Sequence, residues 1–205
     1  SPSDTLEQVR TKERTLAALE RRDSQLSRWK RIANLWCSRW FAPELAGLAT
    51  AYTTLVDAIL GGSSVLPTVT ARTLLERSER AASTLSFFHW ELEFPEVYFT
   101  EEGVRRSAAG FDAVIGNPPW DMIRQDGAPT ADAEEGRGTP AQMVRFSRDA
   151  GVYGAQSDGH ANRYQLFLER SIALLRPGGR CGIVLPSGVI CDQGSAALRR
   201  QLFSS

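Results

Sequence analysis

The sequence predicts an α/β fold in which a helical segment precedes part of a parallel sheet. Two short apolar runs, at 111–116 and 181–185, have the length and residue types of buried strands. A helical pattern at 162–175 lies between them, and this strand–helix–strand order is typical of a parallel crossover. With 205 residues, of which 42% are hydrophobic and 23% charged, the chain is long enough for one globular domain or two small ones.

The sequence predicts that residues 1–86 form the helical segment, which is either an insertion or a preamble to the sheet domain. Its first helix should end at Ala42-Pro43, because the residue before a proline resists the α region, and further helices are predicted at 44–60 and 70–84. Apolar residues of the first helix recur every seven positions, at Leu19, Leu26, Ala33 and Trp40. A packed insertion is favoured over a partner-binding coiled coil, since coiled coils need several clean heptads.

Residues 87–205 predict the partial sheet domain. The aromatic-rich residues 87–99 partly alternate with polar ones, which predicts short extended segments. Residues 121–160 are rich in glycine and small polar residues with weak periodicity, which predicts a flexible insert, either a functional lid or a mobile loop. Gly178-Gly179 should form the turn after the 162–175 helix.

Charge and cysteine content limit the classes of function that the chain is expected to have. The 24 basic and 24 acidic residues cancel, which removes the simplest argument for a nucleic-acid binder. The cancellation is uneven, because 87–135 carries three basic and eleven acidic residues and 136–205 carries nine and four. Three cysteines and two histidines in no metal-ligand spacing predict no metal site, with Cys181 and Cys191 as buried thiols.

The chain also has no signal peptide and no run of about 18 apolar residues. The sequence therefore predicts a cytoplasmic protein without a membrane segment.

The residues that carry chemistry are Asn117-Pro118-Pro119-Trp120, directly after the first predicted strand, where ligands bind in open parallel sheets. An aromatic amine is a poor nucleophile because its lone pair is delocalised into the ring. Two acceptors that take both amine hydrogens favour a pyramidal nitrogen, and the Asn117 side chain and the Pro118 carbonyl can supply them. The prolines fix φ at about −65°, and Trp120 offers a stacking surface worth about 1–3 kcal/mol to an extruded base.

An ordinary strand-to-loop turn would also use Asn and Pro. The preceding strand and the following aromatic favour the functional interpretation.

Phe111 to Trp120 resembles motif IV of the amino-methyltransferases, above all of the N6-adenine-specific DNA methyltransferases. Further segments resemble, in order, parts of the large fused restriction–modification and phage-defence enzymes of this kind: 88–97, 162–170, 174–180 and 183–188. Together the resemblance covers residues 87 to about 200.

This resemblance implies part of a Rossmann-like class I methyltransferase sheet in a bacterial enzyme. Asn117 and Pro118 would hold the N6 amine of an adenine flipped out of double-stranded DNA, with Pro119 stiffening the loop and Trp120 stacking on the base. S-adenosylmethionine would donate the methyl group. Tyr164 and Phe167 could line the pocket, but at i and i+3 of a helix they are interpreted as core.

One departure from the family concerns the cofactor. Its glycine-rich loop after a strand is absent, since the only Gly-x-Gly is Gly136-Arg137-Gly138, in the insert. No cofactor-binding residue is assigned. The chain is expected to be an inactive fragment, with the cofactor-binding part before it and the target-recognition part beyond Ser205.

Two alternatives stay open. The first is a protein methyltransferase that acts on glutamine side-chain amides, a family whose Asn-Pro-Pro-Tyr motif is similar to the loop of this chain. The second is a non-catalytic, truncated subunit of a DNA-modifying complex. The segment 88–97, the insert and Trp120 favour the DNA enzyme over the amide methyltransferase. The intact Asn117–Trp120 loop argues against a subunit that lost its catalytic function long ago.

Overall fold

The computed structural model describes residues 5–19, 21, 24–42, 45, 48–62, 65–123, 139–155 and 162–203. Gly136-Arg137-Gly138 and much of the predicted insert lie outside these residues. The chain divides into two compact units, Ser1–Glu93 and Phe94–Ser205.

The first unit contains five helices among its described residues: α1 (Leu6–Leu19), α2 (Gln25–Phe41), α3 (Leu48–Leu60), α4 (Thr68–Leu85) and α5 (Trp90–Glu93). The expectation of a single first helix is wrong. A second helix starts after Ser24, whose side chain accepts a hydrogen bond from the Ser27 N–H and so caps α2. The predicted end of α2 is confirmed, because Ala42 is already extended.

The core of the first unit lies among α2, α3 and α4, and its buried residues are Ile32, Leu35, Ala42, Leu45, Leu55, Ile59 and Ala71. On α2 the buried line runs through Ile32, Leu35 and Ser38, at a spacing of three residues. The predicted seven-residue stripe is displaced from this line, so that Ala33 and Trp40 are only half-buried.

The second unit contains, among its described residues, α6 (Pro95–Tyr98), β1 (Phe111–Gly116), α7 (Pro140–Asp149), α8 (Arg163–Leu174), β2 (Leu175–Ile183), α9 (Gly188–Cys191), a 3₁₀ turn (Gln193–Ser195) and α10 (Ala196–Phe203). β1 and β2 pair in parallel, with Val114 opposite Cys181 and Gly116 opposite Ile183. The predicted parallel crossover through a helix is confirmed.

The expectation of extended segments at 87–99 is wrong. The carbonyl of His89 accepts hydrogen bonds from the N–H groups of Leu92 and Glu93, which closes the turn of α5. Pro95 opens α6, where its fixed φ suits the first helical position. Local turn chemistry therefore decides this segment against its aromatic composition.

The predicted glycine turn lies inside β2 rather than before it. The pairing passes from Phe111 opposite Leu175 to Ala113 opposite Arg180, so residues 176–179 bulge opposite Asp112. Gly178, at φ +76°, provides the left-handed conformation that the bulge needs.

One face of the sheet is more exposed than a buried strand pair would be. Ile115 is 86% exposed and Val184 is 56% exposed, although both lie in runs that the sequence predicts as buried strands. Cys181 and Cys191 are exposed as well, so the prediction of buried thiols is wrong for both. Successive side chains alternate between faces, so Ile183 packs against the cluster of α8 and α10 while its neighbour Val184 lies on the opposite face.

Helix α7 falls in the stretch that the sequence predicted as a loop. Thr139 caps it, and the Gln142 side chain accepts a hydrogen bond from the Thr139 N–H in return. Val144 and Ser147 are buried, and Val144 packs with Ile123. None of the helices in the described ranges is long and apolar enough to span a bilayer.

Candidate active site

The loop Asn117–Trp120 leaves the carboxyl end of β1 beside the end of β2. The Val184 N–H donates to the Gly116 carbonyl at 3.0 Å, which extends the parallel pairing to the last residue of β1. Since the carboxyl ends of parallel strands share one edge, the segment after β2 starts at the same edge as Asn117.

The four predicted site residues differ in exposure. Pro118 is buried, whereas Asn117 and Pro119 are exposed. The Trp120 side chain is 53% exposed. The loop is thus held by its first proline, while its amide and indole groups are open to a ligand.

The downstream end of the loop is tied to the start of α8. The Arg163 N–H donates to the Asp121 carbonyl at 3.1 Å. Arg163 Nε also lies 3.0 Å from Asp121 Oδ2, as a close ion pair rather than an aligned hydrogen bond. Met122 forms an antiparallel bridge with Asn162, and Ile123 is buried. Asp121 is therefore attached through both its backbone and its side chain.

The segment after β2 turns directly into α9. The Val189 N–H donates to the Pro186 carbonyl at 3.1 Å, and Ile190 donates to the Ser187 carbonyl at 3.0 Å. The Arg199 guanidinium donates to the carbonyls of Val189 and Asp192, at 3.0 and 2.6 Å. Helix α10 thereby braces this turn.

Buried polar side chains of α8 hold two neighbouring segments. Gln165 Nε2 donates to Ser195 Oγ at 2.9 Å, at the end of the 3₁₀ turn. Glu169 Oε1 accepts the Ala155 N–H at 2.9 Å, after α7. Both side chains are at least nine-tenths buried, so these bonds satisfy groups that would be costly to leave unpaired.

The interpretation of Tyr164 and Phe167 as core holds for one of them. Tyr164 is 3% exposed, and its hydroxyl lies 3.4 Å from Ser195 Oγ. Phe167 is 53% exposed, because it lies on another face of α8.

Sequence reasoning missed Asp121, Arg163 and Glu169. Each acts through a partner distant in sequence, so no local pattern marks it. The pairing of Asn162 with Gln165 was visible, since both belong to a capping box at the start of α8.

Burial also affects two titratable groups of this unit. It raises the pKa of the Tyr153 phenol, an effect that the nearby Arg170 charge partly offsets. Partial desolvation likewise raises the pKa of the Cys181 thiol, although the residue is exposed. In the described part of the chain, His, Cys, Asp and Glu form no group of three that could hold a metal ion.

The described residues do not fit a glycine cradle for a nucleotide-like cofactor. Glycines beside the strands serve contacts within the chain: a Cβ on Gly110 or Gly179 would collide with backbone at the β1–β2 contact, and a Cβ on Gly188 would meet the Asp192 carboxylate. Among the described residues, these three glycines are therefore occupied by contacts within the chain.

Comparison with known families gave a match over most of the chain. A family model described as Eco57I restriction-modification methylase matches residues 33–205, which include both strands and Asn117–Trp120. Comparisons with curated proteins and with solved structures gave no significant match.

Proposed function

We propose, since this chain belongs to the Eco57I restriction-modification methylase family, that it forms the base-holding part of an adenine-specific DNA methyltransferase. The family implies DNA methyl transfer in restriction–modification. The observation that carries the finer proposal is the loop Asn117–Trp120, rigid at Pro118 and open at Asn117 and Trp120, at the carboxyl end of a parallel strand.

In this proposal the loop activates a weak nucleophile. Asn117 Oδ1 and the Pro118 carbonyl accept the two hydrogens of the N6 amine, which favours a pyramidal nitrogen with a free lone pair. Because the two prolines fix φ, the backbone that carries this carbonyl needs little reorganisation when the amine arrives. A base inside a duplex cannot reach these acceptors, so double-stranded DNA would be bound with the adenine flipped out.

Trp120 would receive the flipped ring. Its half-exposed indole offers a flat surface, and stacking of a base on such a side chain contributes about 1–3 kcal/mol. The position three residues after Asn117 lets one short loop hold both the amine and the ring.

The methyl group would come from S-adenosylmethionine, which methyltransferases of this family generally use. Since the described residues provide no cradle for it, we propose that residues outside them bind the donor. The two-stranded parallel sheet is compatible with a methyltransferase-like α/β fold, and we propose that it belongs to a Rossmann-like class I sheet.

The test is transfer of a tritiated methyl group to DNA by the complete protein. Asn117→Ala should abolish transfer and leave DNA affinity largely unchanged, because the amide acts on the amine rather than on phosphates. Gln193→Ala, at an exposed polar residue of the 3₁₀ turn, is the control and should keep the parent rate. Transfer by Asn117→Ala near the parent rate would mean that the assigned role is wrong.

The labelled product separates the alternatives. N6-methyladenine in digested DNA supports the proposal. Label in glutamine side chains of protein would instead favour an amide methyltransferase, and DNA binding without any transfer would favour a non-catalytic subunit in a restriction–modification or phage-defence complex.

A further inference from the structure

We infer that Arg163 is a positioning residue for the loop Asn117–Trp120, acting through its ion pair with Asp121. The inference rests on the proposed function, because the geometry that it preserves is the one needed to grip an amine. Neither residue belongs to the Asn-Pro-Pro-Trp sequence itself.

The loop is fixed at two points. Upstream, the Val184 N–H holds the Gly116 carbonyl at 3.0 Å. Downstream, Arg163 holds Asp121 through the 3.1 Å backbone hydrogen bond and the 3.0 Å ion pair. The segment between these points contains the site residues and little else, so a shift of Asp121 is transmitted directly to Trp120, its neighbour in sequence.

The downstream attachment is itself rigid. Arg163 is the first residue of α8, and Tyr164, Gln165 and Leu168 bury the next turns of that helix. A helix anchored in this way keeps the Arg163 backbone in place. The loop can therefore be oriented from α8 without a contact between α8 and the substrate.

The same pair has little to contribute to folding stability. The two side chains are 37% and 55% exposed, and ion pairs with this exposure stabilise proteins weakly. A cation in the first turn of a helix also opposes the helix dipole, which the Asp121 carboxylate offsets. Since the ion pair contributes little to folding stability, its main effect is local: it fixes the orientation of Asp121.

A matched control lies at the other end of β1. Arg176 Nε is paired with Asp112 Oδ1, and these side chains are 41% and 85% exposed. Arg176→Gln thus removes another solvent-exposed Arg–Asp ion pair of this unit, away from the loop.

The experiment measures methyl transfer by the complete protein, after sequencing of methylated DNA has located the target adenine. Arg163→Gln and Asp121→Asn should lower kcat about 10- to 100-fold, the scale expected when a reacting group is misplaced. The melting temperature and the Kd for DNA should stay near the parent values. Arg163→Lys should recover most of the rate, and Arg176→Gln should keep the parent rate.

A spectroscopic readout reports on the loop directly. When 2-aminopurine replaces the target adenine, stacking on Trp120 should quench its fluorescence. The complex with Arg163→Gln should be brighter than the parent complex and approach that of Trp120→Ala, because Trp120 no longer lies against the base.

Two results would overturn the inference. One is a parent-like kcat for Arg163→Gln. The other is a loss confined to the Kd for DNA, which would make Arg163 a phosphate contact. If the unmodified protein transfers no methyl group to DNA, the proposed function fails together with this inference, whereas transfer by the unmodified protein leaves only the inference at stake.

Discussion

The hydroxyl oxygen of Ser38 on α2 lies 3.0 Å from that of Ser78 on α4, and both side chains are almost completely buried. Ser38 Oγ also lies 2.7 Å from the Asn34 carbonyl and 3.2 Å from the Ser78 carbonyl. A side-chain oxygen this close to the backbone of the opposite helix shows that the two helix backbones approach closely here. The contact therefore requires small residues.

Enlarging Ser78 should destabilise the first unit. We expect Ser78→Leu to lower the free energy of unfolding by about 1–3 kcal/mol, because a larger side chain forces α2 and α4 apart. Ser83→Leu, on the exposed side of α4, should change it by less than about 0.5 kcal/mol. Urea unfolding followed by circular dichroism measures both, and equal midpoints for the two variants would contradict the close contact.

Gly110 should tolerate no side chain. Its φ of +128° disfavours other residues, and an added Cβ would lie 2.6 Å from the Leu175 carbonyl carbon. Gly103, at φ +77° with open space around it, isolates the backbone effect. We expect Gly103→Ala to cost about 1–2 kcal/mol and Gly110→Ala to cost clearly more, as thermal unfolding would show. Equal losses of stability in the two variants would mean that the β2 backbone moves to make room for the new methyl group.

His89 should make the stability of the first unit pH-dependent. Burial lowers its pKa below the ordinary 6.5, an effect opposed by Glu93, and its Nε2 lies 2.7 Å from Asn34 Oδ1. The unfolded chain therefore binds a proton more readily than the folded one. The free energy of unfolding should fall as the pH drops below about 6.5, and this loss should level off once the pH is below the folded pKa.

The comparison that isolates His89 uses His89→Gln at about pH 7.5 and about pH 5.5. The parent protein should lose more stability between these values than the variant does. An identical loss in both would assign the pH dependence to other groups.

Cys37 should be the least reactive thiol. Burial raises its pKa to about 11, although the Arg39 charge opposes this shift. Relative to the ordinary 9.0, the thiolate fraction at neutral pH falls about 100-fold, and the thiolate is the reactive form. In the folded protein at about pH 8, iodoacetamide should modify the exposed Cys191 well before Cys37. Peptide mass spectrometry over time measures this order, and simultaneous labelling would contradict it.

This chain should bind S-adenosylmethionine weakly when isolated. The glycines beside its strands serve internal contacts, and Gly136-Arg137-Gly138 follows no strand of the sequence pattern. Isothermal titration calorimetry should show no low-micromolar affinity. Tight binding would instead place a complete donor site within these residues.

The fold could be predicted where a strong local pattern agrees with the packing. The apolar run at 111–116 and the periodicity at 162–175 predicted β1 and α8, and Pro43 marked the end of α2. Helix α7 was missed because glycine-rich neighbours masked the capping box of Thr139 and Gln142. The turns α5 and α6 were missed because aromatic composition outweighed their hydrogen bonds.

Sequence alone could predict only those parts of the candidate site that a local pattern marks. Asn117 and Trp120 are marked by their position after a strand, which is a local signal. The partners of Asp121 and Glu169 come from other segments, and nothing in sequence spacing indicates them. The exposure of Ile115 was equally hidden, because the sequence pattern assumes layers on both faces of the sheet.

Within the described residues, β1 and β2 pair only with each other. As far as the described residues show, their outer edges offer unpaired backbone groups for strand addition, next to the exposed Ile115 and Val184. A net charge of zero gives the chain little colloidal repulsion. When the chain is produced alone, we therefore expect concentration-dependent self-association and low solubility, with the sheet edges as the sites of association.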